Sequence, residues 1–220
     1  AQYRLADTGE VGSFISRLTA LLEEESAWWL EYDYFDPDEE GLREALCTLG
    51  NGYFATRGAA PESRADGVHY PGTYLAGGYN RLKTEIAGRV VENEDLVNIP
   101  NWLCLGVRAE GGEWFHPDNV EILSYRQELH MMTGVLHRYA RWRDSSGRET
   151  GMHSRRIVSM ADMHKAALEV SITPLNWSGR LEIRSALDGT VINSGVKRYR
   201  NLDGRHLEPV ETRRINENTI

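Results

Sequence analysis

Cysteine is scarce in this sequence, and the short patterns that usually mark a metal site are absent. The 220 residues include two cysteines, Cys47 and Cys104, and contain no C-x-x-C, H-E-x-x-H or His-x-His pattern. A zinc site is therefore not predicted, and neither is a disulfide framework. We expect two free thiols, no metal ion and no organic cofactor.

Other absences exclude further classes of protein. There is no G-x-S-x-G elbow of a serine hydrolase, and the glycines at Gly50 and Gly52 do not continue into a nucleotide-binding loop. The formal net charge of −8 disfavours nucleic acid or an anionic membrane as a partner. Because no signal-peptide pattern and no apolar run of membrane-spanning length occurs, we expect a cytoplasmic protein.

What is present suits a soluble globular protein, with 40% hydrophobic and 26% charged residues. The N-terminal part has helical periodicity. A first helix is predicted from apolar residues spaced three and four apart, with Asp7 and Glu10 as a capping box. These apolar residues are Val11, Phe14, Ile15, Leu18, Leu21 and Leu22.

A second helix is predicted from Pro37 or Asp38 to about Leu49. Proline suits a first turn, acidic residues suit the positive end of the helix dipole, and Gly50 to Gly52 can end the helix. Its predicted inward face consists of Leu42, Ala45, Leu46 and Leu49.

From about Gly67 the apolar period changes to two, which is typical of strands. Residues Gly134 to Gly151 are predicted to form a hairpin that turns at Asp144 to Gly147, and a later turn is predicted at Asn176 to Gly179. The pattern favours a two-sheet antiparallel sandwich or barrel and gives no support to a parallel sheet. The acidic run that contains Glu92, Glu94 and Asp95 is interpreted as a solvated loop without a catalytic role.

Aromatic residues concentrate between the helices, in AWWLEYDYFDPD (Ala27 to Asp38). They could stack on sugars, but aromatic side chains more often close one edge of a core, and we prefer that interpretation.

Three loops combine glycine, asparagine, aromatic residues and arginine: LGNGYFATRG (Leu49 to Gly58), YPGTYLAGGYN (Tyr70 to Asn80) and LVNIPNW (Leu96 to Trp102). Sugar sites pair aromatic faces with hydrogen-bonding side chains, because pyranoses present both apolar faces and hydroxyl groups. The alternative is that the glycines form turns and the aromatic residues pack. We predict a positive φ at Gly52, at Gly58 or at both.

These loops, followed by HMMTGVLHR, RRIVSMAD and NWSGRLEIRSALDG, resemble the N-terminal domain of glycoside hydrolase family 65 from about Trp28 to the end of the sequence. The resemblance implies a mainly β fold, an antiparallel super-sandwich like that of galactose mutarotase, over residues 28–220. Residues 1–27 would be a helical extension or linker. An (α/α)6 catalytic barrel would follow, and the ending ETRRINENTI looks cut before it.

For function, the resemblance implies a parent enzyme that cleaves an α-linked glucose disaccharide with inversion, by phosphorolysis with inorganic phosphate as co-substrate or by hydrolysis. The family's catalytic glutamate lies in the barrel, so no catalytic residue is predicted in these 220 residues. An accessory role at the barrel mouth and a homodimeric parent are expected, and a stand-alone carbohydrate-binding module is the alternative. The candidate substrate-mouth or interdomain contacts are Asn51, Tyr53, Arg57, Tyr74, Tyr79, Asn80 and Trp102.

Overall fold

A computed structural model describes residues 8–194 and 201–216, which form a mainly antiparallel β fold with helices near the N-terminus. The predicted fold class is therefore confirmed. The helices are α1 (Thr8–Ser26) and α2 (Glu40–Leu46), and a 3-10 turn spans Pro117–Asn119. The strands are β1 (Trp29–Tyr32), β2 (Leu49–Gly50), β3 (Phe54–Thr56), β4 (Thr73–Leu75), β5 (Tyr79–Ile86), β6 (Arg89–Leu96), β7 (Leu105–Ala109), β8 (Glu121–His130), β9 (Val135–Arg143), β10 (Glu149–Val158), β11 (Ala166–Pro174) and β12 (Leu181–Ser185).

The largest sheet has five strands in the order β1-β8-β9-β10-β11, all antiparallel. Strict alternation along β9 and β10 sends every second side chain inward, which explains the period of two in the sequence. The β9–β10 hairpin turns at Asp144 to Gly147 as predicted. Asp144 Oδ1 accepts hydrogen bonds from the amides of Ser146 and Arg148, and Gly147 has a φ of 79°.

Shorter sheets form the opposite layer: the β7–β12 pair and the three-stranded sheet β2-β3-β4. After the turn at 176–179 the chain crosses to β7, so β12 does not extend the sheet of β11. A gap of ≈ 310 Å³ separates the two layers there, and it is lined mainly by Leu103, Leu105, Leu168, Val170, Ile172 and Ile183.

The first strand begins well before Gly67, where the sequence pattern predicts the start of the strands. Residues Trp29–Tyr32 already pair with β8 and form an edge strand. Leu30 and Tyr32 from the aromatic stretch pack against the core around Cys47 and Leu49. Phe35 makes an edge contact with Tyr125, 6.0 Å between ring centroids. This part of the stretch therefore closes the edge of the core, as expected.

Helix α2 is shorter than predicted, and the face that it buries is its charged face. It buries Glu40, Arg43 and Glu44, whereas Leu42 and Leu46 are 57% and 51% exposed. The predicted apolar face was therefore wrong for these two leucines. The buried charges are paired, with Glu40 beside Arg43 and Glu44 beside His69, which compensates their removal from water. Leu49 leaves the helix because Leu49–Gly50 pairs with β3.

The acidic run at 92–95 is not a loop, so this prediction was wrong. Glu92, Glu94 and Asp95 lie on β6, which pairs with β5 in an exposed hairpin. Both turn residues, Ala87 and Gly88, have positive φ, which matches the twist of a tight hairpin. A cross-strand ion pair joins the exposed side chains of Lys83 and Glu92, whereas Asp95 is half-buried and contacts His206.

Helix α1 confirms the first predicted helix, although the proposed Asp7 cap lies outside the described residues. Its side chains Phe14, Ile15, Leu18 and Leu21 are exposed. In the described part of the chain, no helix is long and apolar enough to cross a membrane.

Candidate functional site

The first predicted site residue, Asn51, is an anchor between two loops. Its Nδ2 donates to the carbonyl oxygens of Ser159 (2.6 Å) and Met163 (3.2 Å). Its Oδ1 accepts from the amides of Tyr53 (3.1 Å) and Phe54 (2.9 Å). All of these partners are backbone groups, so Asn51 joins the loop before β3 to the loop between β10 and β11.

Arg57 and Tyr74 are also held by the protein. Arg57 donates to the carbonyls of Tyr70 and Gly41, lies 3.7 Å from the Glu44 carboxylate and stacks over the Tyr70 ring. Tyr74 Oη donates to Tyr70 Oη at 3.2 Å. Burial, together with this hydrogen bond, raises the pKa of Tyr74. Both polar groups therefore already have partners within the protein.

The remaining candidates do not converge on one site. Tyr53 meets His164 edge-on at 4.7 Å between ring centroids, and Trp102 packs beside Phe54 in the interlayer gap. Tyr79 is exposed, and Asn80 contacts His206 at 3.3 Å. The structure therefore brings Asn51 and Tyr53 together and places Arg57 and Tyr74 side by side around Tyr70. The other three candidates lie elsewhere.

Methionines mark the end of the five-stranded sheet where Asn51 and Tyr53 lie. The β8–β9 turn carries Met131 and Met132, 48% and 64% exposed, and the β10–β11 loop carries Met160 and Met163, 81% and 51% exposed. Both connections lie at the same end, because β9 and β10 pair with Val135 opposite Ile157. Asn51 and Tyr53 bind the second of these loops directly. We call these four residues the methionine end.

A second feature is a cleft of ≈ 600 Å³ with both apolar and polar lining residues, a volume in the range of ligand sites. Trp114 lies in it, with the Arg184 guanidinium 4.8 Å from the indole ring, and Gly106 leaves room for that ring. Further lining residues are Pro61, Glu62, Ser63, Arg64, Cys104, Phe115, His116, Asp188 and Thr190.

The carboxylates of the cleft already have partners. Glu62 makes a two-pronged ion pair with Arg138, and Asp188 Oδ1 accepts from the amide and hydroxyl of Thr190. Glycoside cleavage needs two carboxyl groups, or one and an external nucleophile, facing the same bond. Arg108 and Arg184 both lie over the Trp114 ring, so the cleft offers mainly hydrogen-bond donors, which suit binding better than acid–base chemistry. Among the described residues, no group of three or more potential ligand side chains could hold a metal ion.

The sequence signals two unusual methionine pairs, since they stand in turn segments where polar residues are usual. Only the strand pairing shows that the two pairs share one end of the sheet. The cleft carries no such signal. Its residues come from segments around 62, 104, 114 and 186 that only the fold brings together.

Comparison with known proteins identifies the chain. The family model described as the glycosyl hydrolase family 65 N-terminal domain matches residues 30–220. An uncharacterized glycosyl hydrolase of Mycobacterium tuberculosis H37Rv is 46% identical over 215 residues, which cover 96% of this chain and 16% of that protein. Kojibiose phosphorylase of Caldanaerobacter subterraneus subsp. tengcongensis is 33% identical over 87% of this chain. Trehalose 6-phosphate phosphorylase of Lactococcus lactis is 32% identical over 84% of this chain.

In length, the chain spans 16% of the Mycobacterium protein and 23% of each of these two phosphorylases. A solved structure provisionally named as a kojibiose phosphorylase from the human microbiome matches the fold with a TM-score of 0.59 and 23% sequence identity. That match covers 66% of this chain and 19% of the other. The chain belongs to glycosyl hydrolase family 65, and the family's N-terminal domain accounts for residues 30–220.

Proposed function

We propose that this chain is the accessory domain of an inverting α-glucoside phosphorylase, in which it docks onto the catalytic barrel and shapes the mouth of the active site. The observation that carries the proposal is the methionine end, an exposed apolar surface at one end of a rigid sheet. Exposed apolar patches mark interaction surfaces, and unbranched methionine side chains adapt to an irregular partner. The catalytic domain is the proposed occupant.

Asn51 supports this role through its position. Two of its hydrogen bonds hold the β10–β11 loop and two hold its own loop before β3, so Met160 and Met163 are presented on an ordered support. A rigid apolar surface loses less conformational entropy on docking than a mobile one. Of the sequence-predicted contacts, Asn51 and Tyr53 therefore act in interdomain packing, and a direct sugar contact is not needed.

In the proposed reaction the whole enzyme supplies a barrel glutamic acid, which protonates the leaving glycosidic oxygen. Inorganic phosphate forms a bond to the anomeric carbon from the opposite face as the glycosidic bond breaks, and β-glucose 1-phosphate is released. The relatives named as kojibiose and trehalose 6-phosphate phosphorylases support phosphorolysis of an α-linked disaccharide. The proposal includes a homodimeric, cytoplasmic enzyme, and the two free thiols of Cys47 and Cys104 fit a reducing compartment.

The test uses the longer protein that contains these residues, assayed for glucose 1-phosphate release from maltose, trehalose and kojibiose with and without phosphate. Met132→Glu combined with Met160→Glu should lower phosphate-dependent turnover at least about tenfold, because charges in an apolar interface weaken docking. Val90→Glu on the exposed β5–β6 hairpin is the matched control and should retain wild-type turnover.

Unchanged activity in the methionine double variant would contradict docking at this end. Release of sugar without phosphate would show that the parent is a hydrolase, with water in place of phosphate as the nucleophile, and would not affect the docking proposal. The 220-residue chain alone should show no turnover, since its cleft lacks a free pair of carboxyl groups. Turnover by that chain would place a catalytic site within these residues.

A second candidate is a carbohydrate-binding module that works alone, and the Trp114 cleft favours it. Calorimetric titration of the 220-residue chain with the same three disaccharides separates the two functions. Binding that disappears in Trp114→Ala would support the module. If none of the three sugars produces a heat of binding, the binding-module function is contradicted and the docking function is retained.

A further inference from the structure

The inner face of the five-stranded sheet carries a polar band between two apolar clusters. Leu129, Leu136 and Val158 belong to one cluster, and Ala140, Trp142 and Met152 belong to the other. Between them lie Gln127, Arg138, Ser154 and Arg156, all at least 95% buried. Charged side chains are almost never buried to this degree unless they are paired.

Only one of the two buried arginines has an acidic partner. Arg138 is paired with Glu62 through two guanidinium nitrogens. Arg156 is 4% exposed and donates through Nη1 to the carbonyl oxygen of Ala59, and within residues 8–194 and 201–216 it has no carboxylate partner.

The nearby acids cannot balance this charge, because each already has a cation. Glu40 lies beside Arg43, and Glu44 contacts both His69 and Arg57. Burial lowers the pKa of Arg156 to about 10, so the guanidinium remains protonated at neutral pH. Burial raises the pKa of the neighbouring Cys47 thiol, which is therefore neutral. Among the described residues, the Arg156 charge is therefore left without an ion-pair partner of its own.

A cavity of ≈ 10 Å³ adjoins this charge, between the inner face of the sheet and the segment 58–61. Its lining includes Arg138, Ser154, Arg156 and Gln127. The Nε atoms of Arg138 and Arg156 are buried without a hydrogen-bond partner in the described part of the chain. The lining thus includes two buried guanidinium groups, and the volume of the cavity suits a single water molecule or an ion of similar size.

We infer that this cavity binds a small monovalent inorganic anion, with chloride as the natural occupant, between the two buried arginines. An anion accepts hydrogen bonds from the unpaired Nε–H groups and also compensates the Arg156 charge. A water molecule accepts the hydrogen bonds but leaves the charge uncompensated. Phosphate and carboxylate-bearing metabolites are excluded by size. The anion also fastens the segment 58–61 to the sheet, next to Glu62 at the edge of the Trp114 cleft. This site is independent of the docking surface.

The test compares thermal unfolding of the purified protein in sodium chloride and in sodium gluconate at equal ionic strength. Gluconate is too large for the cavity. Chloride should raise Tm in a saturable way, by about 3 to 6 °C at ten times its dissociation constant. Arg156→Met should lose this dependence. Arg155→Met should retain it, because Arg155 is exposed on the other face of the same strand and pairs with Glu169.

Because Arg156→Met could fail to fold, crystals of the wild-type protein soaked in sodium bromide provide a second measurement. An anomalous bromide peak within hydrogen-bond distance of Arg156 Nε is expected. Equal Tm in the two salts, a chloride effect that survives Arg156→Met, or ordered water without anomalous signal at this position would each overturn the inference.

Discussion

Gly58 shows how a single missing side chain permits the packing of two segments. A Cβ added to Gly58 would lie 2.6 Å from Cys47 Cβ and 3.0 Å from the Cys47 carbonyl oxygen, and Cys47 is fully buried. The Gly58 amide donates to the Glu44 carbonyl oxygen at 2.7 Å, which fixes this close approach. Gly52 is needed for a different reason, since its φ is 85° and the space around it is open. The predicted positive φ in this loop is therefore confirmed at Gly52.

Alanine substitutions should separate these two reasons. Gly52→Ala is expected to lower the free energy of unfolding by about 1 kcal/mol, the usual cost of a left-handed alanine. Gly58→Ala should cost about 2 to 3 kcal/mol, because the clash is with buried backbone and Cβ atoms that cannot move away. Urea unfolding measures both, with Gly67→Ala as the control in open space. A Gly58→Ala variant as stable as the control would contradict the close packing.

Helix α2 illustrates how an element can be oriented by buried charge instead of apolar residues. Its Glu44 accepts from His69 Nδ1 and from the Tyr70 amide, both at 2.9 Å, which ties the helix to the segment before β4. Burial alone would lower the pKa of His69, but the Glu44 hydrogen bond and charge outweigh it, so the pKa is raised. The protonated imidazole is thus favoured in the folded state.

This pair predicts a pH dependence of stability. Because the folded pKa of His69 lies above its unfolded value of about 6.5, its contribution is complete below pH 6.5 and is lost as pH rises through the folded pKa. The free energy of unfolding of the wild type, measured by urea titration, should fall over this range relative to His69→Asn.

The exposed His164 provides the control, and His164→Asn should follow the wild type. Parallel curves for the wild type and His69→Asn would contradict a stabilising ion pair between Glu44 and His69.

In the whole molecule, α1 stands apart from the sandwich. Its apolar residues Phe14, Ile15, Leu18 and Leu21 are exposed, so they bury little surface against the strands. The match with the Mycobacterium protein covers 96% of this chain, and therefore reaches into α1. The sequence similarity thus includes part of α1, whose described apolar residues are not covered by the sandwich.

Removal of residues 1–26 should consequently leave the sandwich intact. We expect Tm to change by less than about 2 °C, because the described apolar side chains of α1 are exposed and removal of exposed surface changes stability little. Differential scanning calorimetry of the full and shortened chains measures this. A large fall in Tm would mean that α1 packs on the strands.

The family motifs and the period of two were sufficient to predict an antiparallel β fold and its β9–β10 hairpin, since alternation and turn residues are local properties. They were less informative for the site. Asn51 and Arg57 have the composition of sugar ligands, yet their side-chain donors bond to backbone carbonyl oxygens of other segments of the chain. No local pattern shows which partner a polar side chain will meet.

By itself, then, the sequence determined the family, the strand-rich class and the glycine-dependent loop, because each depends on neighbouring residues or on motifs in a fixed order. The tertiary structure alone decided that α2 buries its charges, that four methionines share one end of the sheet and that Arg156 lacks an acidic partner. The physical reason is that burial and charge pairing are set by contacts between distant segments. The free energy of an ion or an apolar side chain depends on those contacts and not on its neighbours in the chain.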